Sequence, residues 1–295
     1  MAELKRIGIL ANLDKPAAVP VLLDLAAWLE AQDRQIVTVP EVAALLASGV
    51  ITVEATTLGD HCELLIVLGG DGTLLGAARA VAGSDLPILG VNLGALGFLT
   101  EVPDRMLLET LESVLGGAYQ LEHRTMLEAA LVEPDGAGTR VLGTALNDAV
   151  VHTGTATHLL DLDIAVSGRS LGQIRADGMI VATPTGSTAY SLSAGGPLVR
   201  PTIPALLATS ICPHSLSVRP LLFDDRETLE LAIGPPDRVA YVALDGHLAG
   251  EFPLPASILV RKASTRTVLV LPQGHSFYNL VASKLRWGGM NQRSG

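Results

Sequence analysis

The apolar run 63–68 ends in Gly69, Gly70, Asp71, Gly72 and Thr73, and a helix-like stretch, 74–82, follows at once. This order of strand, glycine turn and helix constrains the chain more than any other feature. Three glycines around one acid leave a backbone with few Cβ atoms, able to take positive φ and to come close to a ligand. Successive amides in such a turn can point at phosphate oxygens, and the helix N-terminus adds its positive dipole end. The side chain left facing the ligand is a carboxylate. A phosphate repels it unless a cation intervenes or the acid accepts a proton from an attacking hydroxyl, so Asp71 is the candidate catalytic base. With glycine at ~7% of ordinary sequence, such a pentapeptide arises by chance on the order of once per million windows. The plain alternative is a tight turn whose aspartate caps the next helix.

Strand and helix patterns alternate on both sides of the turn. Runs 6–11, 35–39 and 87–91 read as strands, and 17–31 and 103–115 as helices. Such alternation implies a parallel sheet covered by helices, with ligands bound outside the carboxyl ends of the strands, where Asp71 falls. After about residue 120 the pattern changes to short β-rich runs at 126–133, 139–146, 160–166, 180–183, 215–218, 228–233, 239–244 and 258–262. Residues 267–271 read as a last strand and 279–287 as a terminal helix. The expected fold class is α/β plus all-β. An N-terminal parallel-sheet α/β domain (1–122) precedes a C-terminal β-rich, sandwich-like domain (123–270), and a tail (271–295) returns to the first domain.

Length supports two domains at ~100 to 200 residues each, because the chain has 295. Apolar residues at 48% against 17% charged exclude a disordered chain. A formal charge of −10 provides no basic footprint for nucleic acid, so an anionic ligand must be held locally by amides, single arginines or a metal. Cys62 and Cys212 lack metal-ligand spacing and point to a reduced, cytoplasmic setting. No signal-peptide pattern and no apolar stretch of ~18 residues suggests a membrane segment.

Other constellations are compatible with a nucleoside. The stretch 183–196 is dense in small hydroxyls around Pro184 and Gly186. Ser187 or Thr188 is placed to cap a helix near Ala189, and Tyr190 offers a ring. Asn147 and Asp148 interrupt a strand pattern, which marks either a bulge or hydrogen bonding to ribose. Arg175 and Asp177, two apart, share one face of a strand and read first as a solvated pair. Asp245, Gly246 and His247 read as a hairpin turn. His214, in the phrase 213–220, reads as a buried, satisfied histidine. The chain has no Walker A motif, no G-x-G-x-x-G fingerprint, no zinc spacing and no G-x-S-x-G elbow.

Taken in order, the GGDGT turn, the Asn147–Asp148 pair, the stretch 183–196 and the phrase 213–220 resemble the NAD kinase family over nearly the whole chain. The resemblance implies an α/β domain and a β-rich domain with NAD between them. It further implies transfer of the ATP γ-phosphoryl to the adenosine ribose 2′-hydroxyl, giving NADP. By position, Asp71 is then the base and Gly72 a backbone contact, while Asn147 and Asp148 form the second NAD motif. Thr188, Ala189, Tyr190, Ser191, Leu192 and Ser193 hold the nucleoside. Arg175 and Asp177 match positions that complete a site in family oligomers, in part from a neighbouring subunit. His158 and His247 align with more variable contacts. Asp148 stands where the family commonly has glutamate, and an arginine at position 175 resembles forms that prefer NAD to NADH. The implied partners are NAD with ATP or polyphosphate, a divalent cation (magnesium) carried with ATP, and further copies of the chain in a homodimer or homotetramer. No resident metal ligands are expected.

Overall fold

The computed structural model describes residues 4–46, 49–133, 138–153, 159–234 and 239–287. The chain divides into two compact units, Met1–Ala77 with Leu86–Glu122 and Val268–Gly295, and Ala78–Asp85 with His123–Thr267. Among the described residues no helix is long and apolar enough to cross a membrane.

The first unit is built on a parallel sheet. Its strands run Pro87–Asn92, Leu64–Gly69, Arg6–Ala11, Gln35–Thr38 and Ile51–Thr52 in spatial order, and Val102–Pro103 pairs with Pro87–Asn92. The strand Leu64–Gly69 is buried at every position, as a central parallel strand covered on both faces must be. The helix Ala18–Ala31 buries Ala18, Leu22, Leu25 and Leu29, an i, i+4, i+7, i+11 stripe, and Pro20 sits in its first turn where no amide partner is needed. Asp33, at φ 55°, turns the chain out of that helix.

The second unit contains an antiparallel sheet ordered Leu221–Asp224, Ala205–Ile211, Gly178–Ala182, Asp148–His152, Val239–Leu244 and His247–Pro253. A second set of strands, Arg169–Ala176, Leu160–Val166, Leu229–Gly234 and Ala256–Pro272, also runs antiparallel, and Tyr119–Val132 with Thr139–Ala145 continues it. Alternate residues of both layers, among them Val151, Val181 and Val242 from one and Leu162, Leu231 and Ile258 from the other, make one apolar core. This is the expected sandwich-like arrangement. The strand Ala256–Pro272 ends in the first unit, where Val268 and Leu269 pair parallel with Pro87 and Ile88. The helix Phe277–Lys284 follows.

Several expectations are corrected. The helix after the glycine turn starts at Asp71 rather than Leu74, because the Gly70 carbonyl already accepts from the amides of Thr73 and Leu74. Residues 215–218 form no strand. Their alternation is misleading, since the Ser215 and Ser217 hydroxyls bond to each other and Leu216 is 93% exposed, leaving no apolar face to bury. The two short runs 258–262 and 267–271 are one strand. Its charged middle continues the ladder because Arg261, Lys262 and Arg266 pair with Glu128, Asp225 and Asp85. The strand Ala205–Ile211, buried along nearly its whole length, has no counterpart among the expected runs. His214 is exposed rather than buried, with its amide on the Arg175 carbonyl. Cys62 is buried and Cys212 exposed, both as free thiols.

Candidate functional site

In the first unit the glycine turn is built around Asp71. Gly70 stands at the N-cap, and its amide lies 3.4 Å from the Thr73 hydroxyl, which reaches back over the first turn. A Cβ on Gly69 would lie 2.3 Å from that hydroxyl oxygen, so Gly69 serves internal packing. A Cβ on Gly70 or Gly72 would meet nothing within 4 Å, which leaves their backbone open to approach. None of the three takes a left-handed φ. Packing requires the missing Cβ at Gly69 alone, and none of the three uses the positive φ anticipated from sequence.

The Asp71 carboxylate does not cap its own helix. It turns to the loop after the strand Pro87–Asn92, where Oδ2 accepts from the Phe98 amide at 2.8 Å. Oδ1 accepts from the Leu99 amide, the Thr100 amide and the Thr100 hydroxyl, each at 3.0 Å. Asn92 steadies the arrangement by donating to the Thr100 hydroxyl at 2.8 Å and accepting from the Gly94 amide at 2.7 Å. Gly97 is required, because a Cβ there would fall 1.9 Å from Oδ1. A carboxylate offers about four acceptor sites. Oδ1 is crowded by three donors, whereas Oδ2, with one, retains the capacity to take a proton. Sequence analysis alone does not single out Asn92, Gly97 or Thr100. The signal was there in the glycines of Leu93–Gly94–Ala95–Leu96–Gly97, a second glycine-bearing loop at the end of a strand.

In the second unit Asn147 and Asp148 are organised by a turn 97 to 99 residues away. The Asp245 carboxylate accepts from the amides of Leu146 at 2.9 Å, Asn147 at 2.7 Å and Asp148 at 3.3 Å. Its own amide donates to the Asp148 carbonyl at 3.0 Å. Asp245 and Gly246, at φ 48° and 79°, make the two-residue hairpin turn expected of Asp-Gly. That turn therefore also organises the Asn147–Asp148 pair, a role the local sequence around Asp245 does not reveal. Asp148 is only 5% exposed. Burial first, and the neighbouring Asp245 charge second, push its carboxyl up to about 7. Near neutrality it is shared between a donor-acceptor acid and an acceptor-only carboxylate, either of which can meet a hydroxyl.

The hydroxyl-rich stretch closes on the same cluster. The Thr183 amide donates to the Asn147 carbonyl at 2.8 Å, and its hydroxyl donates to the Leu146 carbonyl at 2.5 Å. The Gly186 amide donates to the Thr183 hydroxyl at 3.1 Å, and a Cβ on Gly186 would lie 2.1 Å from the Asn147 carbonyl oxygen. Neither Ser187 nor Thr188 caps the short helix Tyr190–Ser193, which begins after Ala189. Ser187 donates to the Pro184 carbonyl and accepts from the Val199 amide, while Thr188 donates to the Thr185 carbonyl. The Ser191 hydroxyl is buried on Thr209, whereas Tyr190 and Ser193 are exposed and Ala189 and Leu192 half-buried. Buried Arg124, also unassigned from sequence, donates to the Thr185 hydroxyl at 3.3 Å.

Arg175 and Asp177 are placed differently. Arg175 is the second-last residue of the edge strand Arg169–Ala176, exposed, with its guanidinium on Asp161 at 2.8 Å. Asp177 lies just past that strand, with its amide on the Ile211 carbonyl. His247, exposed, starts the strand after the Asp245–Gly246 turn. His158 lies outside the described residues. Among the described residues no group of three or more His, Cys, Asp or Glu side chains could hold a metal ion.

Residues 7–119 match the ATP-NAD kinase N-terminal domain and residues 146–271 the ATP-NAD kinase C-terminal domain. The NAD kinase of Shewanella sp. (strain ANA-3) is 38% identical over 283 residues, 96% of this chain and 91% of that protein. The NAD kinase of Shewanella oneidensis is 37% identical over 96% of both chains. Among solved structures, yeast NADH kinase complexed with NADH superposes with a TM-score of 0.88 at 29% identity, covering 100% of this chain and 90% of that one. An NAD kinase from Archaeoglobus fulgidus in complex with ATP shares the fold, with a TM-score of 0.74 at 23% identity over 95% and 98% of the two chains.

Proposed function

This chain belongs to the NAD kinase family, and we propose that Asp71 is the base of its phosphoryl transfer, taking the proton on Oδ2. The protein is an ATP-dependent NAD kinase: the ATP γ-phosphoryl passes to the 2′-hydroxyl of the adenosine ribose of NAD, giving NADP and ADP. As the new P–O bond forms, the bond from the γ-phosphorus to the ADP oxygen breaks, and the hydroxyl proton has to leave. An aspartate is a feeble base toward an alcohol, so the proton leaves late in a loose transition state and positioning counts for more than basicity. The observation that carries the reading is the hydrogen-bond pattern on Asp71, which anchors one oxygen with three donors and leaves the other with one.

Around that base, the amides of Gly70 and Gly72 and the start of the helix Asp71–Ala80 supply partial positive charge for phosphate. Asn147 and Asp148 serve as hydrogen-bonding partners of NAD hydroxyls. Thr188, Ala189, Tyr190 and Ser193 contact the nucleoside, with buried Ser191 and half-buried Leu192 shaping that wall from behind. Arg175 and Asp177, at a sheet edge, complete a site from a neighbouring copy in a homo-oligomer, and His247 borders the Asp245 turn. Magnesium enters with the ATP phosphates as part of the substrate, where it neutralises charge that this acidic chain does not offset with clustered bases.

The test incubates the purified chain with NAD, ATP and magnesium and follows NADP with an NADP-specific dehydrogenase. Asp71→Asn keeps a carbonyl acceptor for the Leu99 and Thr100 donors, and sets an NH2 group against the Phe98 amide in place of the basic oxygen. It is expected to bind NAD within a few-fold and to lose on the order of 10² to 10⁴ in kcat. Wild-type kcat in that variant removes Asp71 from the role.

A further inference from the structure

The loop that holds Asp71 is itself held by the C-terminal segment. Lys284 is the last residue of the helix Phe277–Lys284 and half-buried. Its ammonium donates to the Leu96 carbonyl and sits 5.5 Å from the centroid of the Phe98 ring. One cation thus grips the residues on either side of Gly97, the glycine that lies against Asp71 Oδ1. A second tie lies at the loop's far end, where His275 Nδ1 contacts Glu101 Oε2 at 2.5 Å, both side chains largely buried. Between the two ties run the amides of Phe98, Leu99 and Thr100 that donate to Asp71.

We infer that Lys284 is a positioning residue for the phosphoryl transfer. It fixes the Leu96–Phe98 backbone, whose Phe98 amide sets the direction of Asp71 Oδ2. The inference rests on the assignment of Asp71 as the base. Sequence separation hides it, because Lys284 lies 188 residues from Leu96 and reads as an ordinary basic residue in the last turn of a helix. A carbonyl and a ring face are unusual partners for a lysine chosen for solubility alone; the negative face of the ring attracts the cation set over it. Small displacements at a reacting atom cost large factors in rate, which is what makes a grip on this loop kinetically visible.

Steady-state kinetics of the full chain with NAD and Mg·ATP test this. Lys284→Met keeps the length and removes the charge. It is expected to lower kcat about 10- to 100-fold with the KM for NAD within about twofold, and Lys284→Arg is expected to restore most of the loss. In an Asp71→Asn background Lys284→Met is expected to cost nothing further, because it acts through the carboxylate. Wild-type kcat in Lys284→Met, or an equal loss in both backgrounds, overturns the inference. Should Lys284→Met fail to fold, Phe98→Leu carries the test, since it removes the ring while leaving the amide; it is expected to lower kcat in the wild-type background only. The base assignment is judged separately. If Asp71→Asn alone keeps kcat, that assignment fails; if Asp71→Asn is inactive and Lys284→Met is normal, only the role of Lys284 fails.

Discussion

Replacing Asp148 with asparagine removes a carboxyl that the fold pushes from the usual 3.8 up to about 7, by burial first and by the Asp245 charge second. Below the unfolded value both states hold the proton and the group is silent. Between about 4 and 7 the native protein keeps its proton while the unfolded chain has lost it, so stability falls as pH rises. Above 7 both are ionised and the penalty is constant. A shift of that size is roughly a thousandfold in acidity, or about 4 kcal/mol at 1.36 kcal/mol per decade. Asp148→Asn is isosteric and free of this penalty, so its advantage over the wild type should widen with pH. Between pH 5 and pH 8 the gap grows by about 2 to 3 kcal/mol, because about two of the roughly three pH units between the unfolded and folded values lie above pH 5. Urea unfolding of both proteins at the two pH values measures this, and any fixed cost of the amide cancels in the comparison. A difference between mutant and wild type that stays constant within about 0.5 kcal/mol would refute the reasoning. The same variant is expected to raise the KM for NAD more than it lowers kcat, as removal of a binding contact should.

The glycines and the turn acid give further tests. Gly97→Ala drives a methyl into Asp71 Oδ1 and the Thr100 hydroxyl, so kcat is expected to fall on the order of a hundredfold with about 1–3 kcal/mol of stability; near-normal kcat argues that the loop can move away without consequence. Gly186→Ala meets the Asn147 carbonyl, a backbone atom with little freedom, and should raise the KM for NAD with a stability loss of about 1–3 kcal/mol by calorimetry. Asp245→Ala strips an acceptor from three amides and should destabilise the second unit by about 3 kcal/mol, measured by denaturant unfolding; a loss below about 0.5 kcal/mol shows that water replaces it freely.

Much of the fold was legible because hydrophobic period is local. The all-buried run that became Leu64–Gly69, the helical stripe of Ala18–Ala31 and the strand Val239–Leu244 with its Asp-Gly turn each carry their pattern within a few residues. Alternation of such patterns is enough to imply a parallel sheet followed by β layers. Local pattern misled where polar chemistry interrupted it. The paired serines 215 and 217 imitate a strand, and the ion-paired middle of Ala256–Pro272 looks in sequence like a break.

Asp71 stands out in the sequence as a candidate because it is the carboxylate in a glycine turn between a strand and a helix. What it does with its two oxygens does not. Its donors lie 27 to 29 residues away, the acid that organises Asn147 lies 98 residues away, and the lysine behind the loop lies 188 residues from the carbonyl it grips. Composition and periodicity determine which faces are buried and hence which elements form. Which amide meets which carboxylate is decided only when sheet closure brings distant segments within about 3 Å, since a hydrogen bond is lost within a fraction of an ångström beyond that distance.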